Sequence, residues 1–192
     1  MFMSKHDTKF INTKKKIQSG FLSMLNKKNF DDISITDICQ EANINRGTFY
    51  NHYKTTYYLL NDLMKNTYES FNNSMRVYLK GKTITKIKNY LDKDVLIPYM
   101  KFVKKNRNLF YLYEQGKIDD SSLNKDILIK LITDQLIDLG TTIDRQLAYS
   151  LEFCIDGLSG IISKWCGDGF KETEDNLYEI IIHIFTKLLS TK

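Results

Sequence analysis

Three observations predict an all-α fold. The chain of 192 residues holds a single Pro, apolar residues recur at helical spacing almost throughout, and no run shows the alternation of a half-buried strand. A first helix is expected over about Thr8 to Lys28, where Ile17, Gly20, Phe21, Met24 and Leu25 fall on one face and Gly20 permits close approach by the next helix. Ser34 and Asp37 have the spacing that satisfies orphan backbone donors reciprocally, so a second helix starts near Ile35. It stops at Asn43, because Asn is the non-glycine residue that best tolerates a left-handed backbone. Ile44 packs back, Asn45 caps again, and Arg46 to His52 is a third helix with Phe49 and Tyr53 facing inward. Arg46, Thr48, Tyr50, Asn51 and His52 are left outside.

A long helix follows from Thr56 to Leu79, with Leu59, Leu60, Leu63, Met64, Tyr68 and Phe71 inward. Gly81 marks a break, and the next helix, Thr83 to Lys105, contains Pro98, which removes a backbone donor and should kink it. Asn108 to Glu114 is a short aromatic-rich helix, Gln115 to Ser122 a loop, and Leu123 to Leu139 a helix ended by Gly140. Asp144 caps a helix reaching Cys166, and Thr173 caps the last one. Gly157 and Gly160 interrupt the first of these two at roughly 1 kcal/mol each in helix propensity, a cost that suggests close packing.

Charge is uneven. Residues 1 to 56 hold nine Lys or Arg against five acids, a net +4 of the whole chain's +5. Beside a helix-turn-helix pattern, that concentration points to a polyanion partner, since each cation on a phosphate releases condensed counterions. We therefore expect two domains: a helix-turn-helix DNA-binding domain at 1–56 and a larger helical domain at 57–192.

Cys39, Cys154 and Cys166 are too far apart for metal-ligand pairs and too few for a disulfide framework, so no metal is expected. With no apolar leader or membrane-length run, a cytoplasmic location is expected. No acid pair, Ser-His-Asp order, zinc-protease motif or glycine-rich phosphate loop is present, and His6, His52 and His183 are scattered. Neither an enzyme nor a cofactor is expected.

The run Ile44-Asn45-Arg46-Gly47-Thr48-Phe49-Tyr50-Asn51-His52-Tyr53 resembles the recognition segment of the TetR/AcrR family of bacterial transcriptional regulators. Asn29-Phe30 sits where these regulators carry Gly-Phe, and Ser34 to Ile38 where they carry a small residue, an apolar one and Asp-Ile. The similarity covers roughly the first quarter of the chain. It departs at Asn43, where the family's turn has Gly, at Thr56, where a Lys commonly touches phosphate, and at Tyr57-Tyr58, which replace an acidic pair. Gly157-Leu158-Ser159-Gly160 with Trp165 and Gly169 also resembles a C-terminal pattern of Firmicute-type members.

Site residues follow from the pattern and the resemblance together. Arg46 can reach a guanine edge or a phosphate, Thr48 a thymine methyl or a phosphate, and Asn51 an adenine edge. Tyr50 and His52 are expected on phosphates, Gly47 lets the backbone approach, and Thr36, Lys14, Lys15 and Lys54 are placed for further phosphates. The resemblance implies a homodimer reading a palindromic operator in double-stranded DNA, with half-sites ~34 Å apart. The broad apolar bands of the last two helices supply its interface: Leu151, Ile155, Leu158, Ile162, Leu177, Ile181, Ile184, Phe185 and Leu188. It further implies a small-molecule effector of unknown identity, with Tyr99, Phe102, Phe110, Tyr111, Tyr113, Phe153 and Trp165 as candidate pocket walls. A repressor is the expected output; an activator or protein-recruiting factor on the same fold is the alternative.

Overall fold

The computed structural model of the chain describes residues 5–79, 92–118 and 142–189. Every regular element among them is helical: α1 (Lys5–Leu25), a 3₁₀ turn (Phe30–Asp32), α2 (Ile35–Glu41), α3 (Arg46–Tyr50), α4 (Thr56–Leu79), α5 (Lys93–Lys105), α6 (Arg107–Glu114), α7 (Arg145–Gly167) and α8 (Glu174–Leu189). The helix expected at Leu123 to Leu139, and the breaks at Gly81 and Gly140, lie outside the described residues. The chain divides into two compact units, Met1–Met64 and Lys65–Lys192. The boundary expected at residue 56 is the first residue of α4, and that helix runs on through the division.

In the first unit, local chemistry sets each boundary. The Ser34 side chain accepts from the Asp37 N–H at 3.1 Å and the Asp37 carboxylate accepts from the Ser34 N–H at 2.9 Å, a complete capping box. Asn43 ends α2 with a φ of 51°. Its N–H donates to the Gln40 carbonyl at 3.2 Å and the Ile44 N–H to the Cys39 carbonyl at 3.0 Å, which is the Schellman closure of a helix end. Asn45 then caps α3, its side chain accepting from the Thr48 N–H at 2.7 Å. Ile17, Phe21, Ile38, Phe49, Leu59 and Leu60 are buried to their last atom and form the centre of this unit. Gly20 lies against α2's end: a Cβ there would stand 3.1 Å from the Ala42 Cβ, tighter than ordinary packing.

In the second unit, apolar faces do the work. Tyr68 and Phe71 of α4, Tyr99 and Phe102 of α5 and Phe110 of α6 pack as one aromatic cluster, with neighbouring ring centroids 4.3 to 5.8 Å apart. α5 packs on α8 and α6 on α7. The first turn of α8 is tied to α5 by Lys93–Asp175 at 2.7 Å and Lys104–Glu174 at 3.3 Å. Asp144 caps α7, accepting from the Leu147 N–H at 2.7 Å, and Thr173 caps α8, accepting from the Asn176 N–H at 3.2 Å. α7 closes as α2 does. Gly169 is left-handed at a φ of 75°, the Phe170 N–H donates to the Trp165 carbonyl at 2.9 Å, and the two rings meet at 4.8 Å.

The band expected at a dimer face lies inside the chain instead. Leu151, Ile155, Leu158, Ile162, Leu177, Ile181 and Phe185 are all buried, Ile184 is at the surface, and the Leu188 side chain lies outside the description. The physical reason is that α5 and α6 cover these helices from within the same chain. What faces outward is a neighbouring stripe: Tyr149 (70% exposed), Phe153 (59%), Gly157 and Gly160 on α7, with Ile180 (44%) and Ile184 (36%) on α8.

Candidate nucleic-acid interface

The α2–turn–α3 segment presents a polar face because its apolar residues are taken inward. Phe49 and Tyr53 are buried, four residues apart on one side, which leaves Arg46, Gly47, Tyr50 and Asn51 exposed on the other. The Tyr50 hydroxyl accepts from the Arg46 guanidinium at 3.2 Å, and the guanidinium carbon stands 6.0 Å from the ring centroid. The two side chains hold each other extended from α3. A planar five-donor group fixed in this way is suited to a guanine edge or a phosphate. Asn51 follows α3 in helical conformation, with its N–H donating to the Gly47 carbonyl at 3.1 Å and its side chain in solvent. Thr48 is half-buried, and Thr36 in the first turn of α2, Lys15 on α1 and Lys54 after α3 are exposed.

Two expected phosphate contacts are placed differently. Lys14 Nζ is 2.9 Å from the Asp62 carboxylate, so its charge has a partner within the protein. The His52 ring is half-buried, stacked on Phe10 at 4.1 Å, and its Nδ1 is buried without a hydrogen-bond partner. Burial, with the Lys14 charge adding, holds the His52 pKa below its ordinary value, which favours the neutral ring. His52 is a packing residue on one edge. Phe10 and Asp62 went unread in the sequence; the signal for Asp62 was a carboxylate set between the inward residues Leu60 and Leu63 of a long amphipathic helix.

Of the aromatic residues expected to wall a pocket, Tyr99, Phe102 and Phe110 come together in the cluster with Tyr68 and Phe71, and Tyr113 is half-buried. Trp165 is buried, its Nε1 donating to the Glu172 carbonyl at 3.0 Å, with Lys104 Nζ 5.8 Å from its ring centroid. Tyr111 and Phe153 lie at the surface. The thiols of Cys39, Cys154 and Cys166 are all pushed up by burial, as expected of packing residues.

No protein-family model matches the chain. Solved structures with the same architecture include the dihydroxyacetone kinase operon activator DhaS, at a TM-score of 0.64 and 19% identity over 93% of this chain and 96% of that one. A protein from Syntrophomonas wolfei described as a TetR-family transcriptional regulator superposes with a TM-score of 0.68 at 15% identity, covering 94% and 97%. This is the TetR-type regulator fold. A third example of it, FadR from Bacillus subtilis in complex with stearoyl-CoA, superposes with a TM-score of 0.63 at 18% identity, covering 88% and 96%. In sequence, the chain is 30% identical over 129 residues to the HTH-type dhaKLM operon transcriptional activator DhaS of Lactococcus lactis subsp. lactis. The match takes in 66% of this chain and 64% of that relative, just under two thirds of its length. Among the described residues, no helix is long and apolar enough to cross a membrane.

Proposed function

We propose that the chain is a DNA-binding transcription regulator acting as a homodimer on a palindromic operator in the cytoplasm, and not an enzyme. The observation that carries this reading is the exposed Arg46–Tyr50 pair on a helix whose opposite side is locked inward by Phe49 and Tyr53. A single five-residue helix offers too few contacts for tight specific binding, so two copies are required. The outward stripe of α7 and α8 is the face that supports dimerisation. Gly157 and Gly160 are exposed, nothing lies within 4 Å of a Cβ built at Gly160, and helix glycines following the exposed aromatics Tyr149 and Phe153 suit the close approach of a second helix.

Footprinting on the chain's own upstream region tests the reading: a protected palindrome with half-sites about one helical turn apart is expected. In anisotropy titrations, Tyr50→Ala should weaken binding to every sequence. Asn51→Ala should relax preference at one base position by roughly 1 to 3 kcal/mol. Equal operator affinity for wild type and Tyr50→Ala would refute the assignment of Tyr50.

Repression by covering a promoter needs no further chemistry and is the first reading of the output. Activation is the second, and the activator DhaS, similar in sequence and in fold, favours it. Transcription in vitro from the footprinted promoter separates the two by the sign of the change. We also propose that residues 57–192 take a small-molecule effector. Tyr68 Oη and Asn72 Oδ1 are buried without hydrogen-bond partners, Tyr68 within the aromatic cluster, and a ligand with a complementary polar group would satisfy them. The stearoyl-CoA complex of FadR supports an effector on this fold. A thermal-shift screen in which Tyr68→Phe abolishes the response to a hit tests it.

A further inference from the structure

Three side chains of the first unit converge on the Asp62 carboxylate. Tyr53 Oη donates to Asp62 Oδ2 at 2.7 Å, Gln18 Nε2 donates to the same oxygen at 3.0 Å and to Tyr53 Oη at 3.3 Å, and Lys14 Nζ donates to Oδ1 at 2.9 Å. Three elements meet there: α1 gives Lys14 and Gln18, the turn after α3 gives Tyr53, and α4 gives Asp62. The Lys14 and Asp62 side chains keep 32% and 29% of their exposure, so salt screens this pair less than a fully solvated one. Burial pushes the Asp62 carboxyl up, but the Tyr53, Lys14 and Gln18 donors outweigh it and hold its pKa below the ordinary value. The carboxylate is therefore charged at neutral pH. Lys15 and Lys16, the next residues on α1, are exposed.

We propose that Asp62 withholds the Lys14 charge from DNA, and that this clasp of α4 on α1 and on the end of the recognition segment sets how strongly the first unit grips the phosphate backbone. The inference rests on the DNA-binding reading above. A cation that neutralises a phosphate adds to affinity by releasing counterions, and each one steepens the salt dependence of binding. A lysine already neutralised by a carboxylate must lose that partner before it can do the same. Opening the clasp frees a cation for any DNA and at the same time removes the hydroxyl bond that anchors Tyr53 directly behind α3. Closure thus favours specific over indiscriminate binding, with Asp62 as a positioning residue that touches no DNA itself.

Binding to a fluorescein-labelled duplex of mixed sequence, followed by anisotropy from about 50 to about 200 mM salt, reads the slope of log affinity against log salt. Asp62→Asn, which keeps the side chain's shape, should steepen that slope by about 0.9 per protomer. Lys14→Gln should remove about 0.9 from the slope in the Asp62→Asn background and much less than that in the wild-type background. Tyr53→Phe loosens the clasp without releasing the charge and should leave the slope where it is. Equal losses for Lys14→Gln in both backgrounds overturn the proposal, as does a Tyr53→Phe slope as steep as that of Asp62→Asn. If circular dichroism shows Asp62→Asn unfolded, Lys14→Gln against Lys15→Gln in the wild type decides: a smaller loss at Lys14 supports the clasp and equal losses overturn it. Failure of the wild type to bind at the lowest salt sinks the DNA-binding reading itself. A wild type that binds with slopes independent of background sinks the clasp alone.

Discussion

In residues 1–64 the turns of the chain are fixed by particular polar groups: the Ser34–Asp37 box, the left-handed Asn43, the Asn45 cap, the Asp62 node. Among the described residues of 65–192, caps at Asp144 and Thr173 and the closure after α7 recur, but the helices are held together mainly by apolar faces, with ion pairs such as Lys93–Asp175 at the rim. The difference is between directional and non-directional forces. A capping box or a Schellman closure works at one spacing only, whereas burial of apolar area is indifferent to which apolar residue supplies it. A module that must present a few side chains to a fixed external geometry gains from the first kind. One that encloses a core can rely on the second.

The largest effect that sharpens this contrast lies within one helix, α7. Phe153→Asp puts a charge on the outward stripe and should leave the chain folded while weakening the dimer by about 2 kcal/mol or more, roughly thirtyfold in affinity. Leu158→Asp puts the same charge in the buried band and should unfold the second unit instead, because an unpaired carboxylate cannot be accommodated there. Sedimentation velocity checks the first, as a shift from twice the 22.6 kDa chain mass to a single one. Circular dichroism checks the second. A Phe153→Asp protein that remains dimeric at micromolar concentration would show that the outward stripe is not the interface.

The same contrast explains what could be read before any coordinates. The start of α2, the turn at Asn43, the Asn45 cap and the caps at Asp144 and Thr173 were legible because each depends on a residue type at a fixed offset. Of the five residues expected outside, Arg46, Tyr50 and Asn51 are exposed, since Phe49 and Tyr53 leave one face for them, whereas Thr48 and His52 are half-buried. Which side of α7 and α8 faces outward was not legible. Leu151, Ile155 and Leu158 repeat at the same period as Tyr149, Phe153 and Gly157, and periodicity alone cannot say which stripe the rest of the chain will cover. The partners of Lys14 and His52, Asp62 and Phe10, were not legible because they lie on other helices, and spacing along one helix carries no information about them.

A smaller effect tests whether the two units respond separately. Ser34→Ala and Asp144→Ala each remove one helix cap and should each cost about 1 kcal/mol. Trp165 is the only tryptophan and lies in the second unit, so its fluorescence follows that unit while far-ultraviolet circular dichroism follows both. In urea, Asp144→Ala should move the fluorescence midpoint. Ser34→Ala should move part of the dichroism transition and leave the fluorescence midpoint in place. A common shift in both signals for Ser34→Ala would mean that the units unfold as one and that the division has no energetic counterpart.

The smallest effects are in pH, and they distinguish two kinds of placement inside the first unit. His52 has a folded pKa held below its ordinary 6.5 by burial, so the neutral ring is favoured by folding. That contribution is present above 6.5 and is lost as pH falls through the folded value. Asp37 is half-buried, and donors from Lys28 and from the Ser34 side chain and backbone hold its carboxyl down to about 2, against an ordinary 3.8. Its contribution is complete above 3.8 and is lost only as pH falls from there towards 2. Melting temperature against pH should therefore decline in two separate windows. Phe10→Ala, which uncovers the imidazole, should flatten the upper one, and Asp37→Asn the lower. Loss of both windows on a single substitution would mean that the stacked histidine and the capping box belong to one cooperative network; on the present geometry they share no partner and should respond independently.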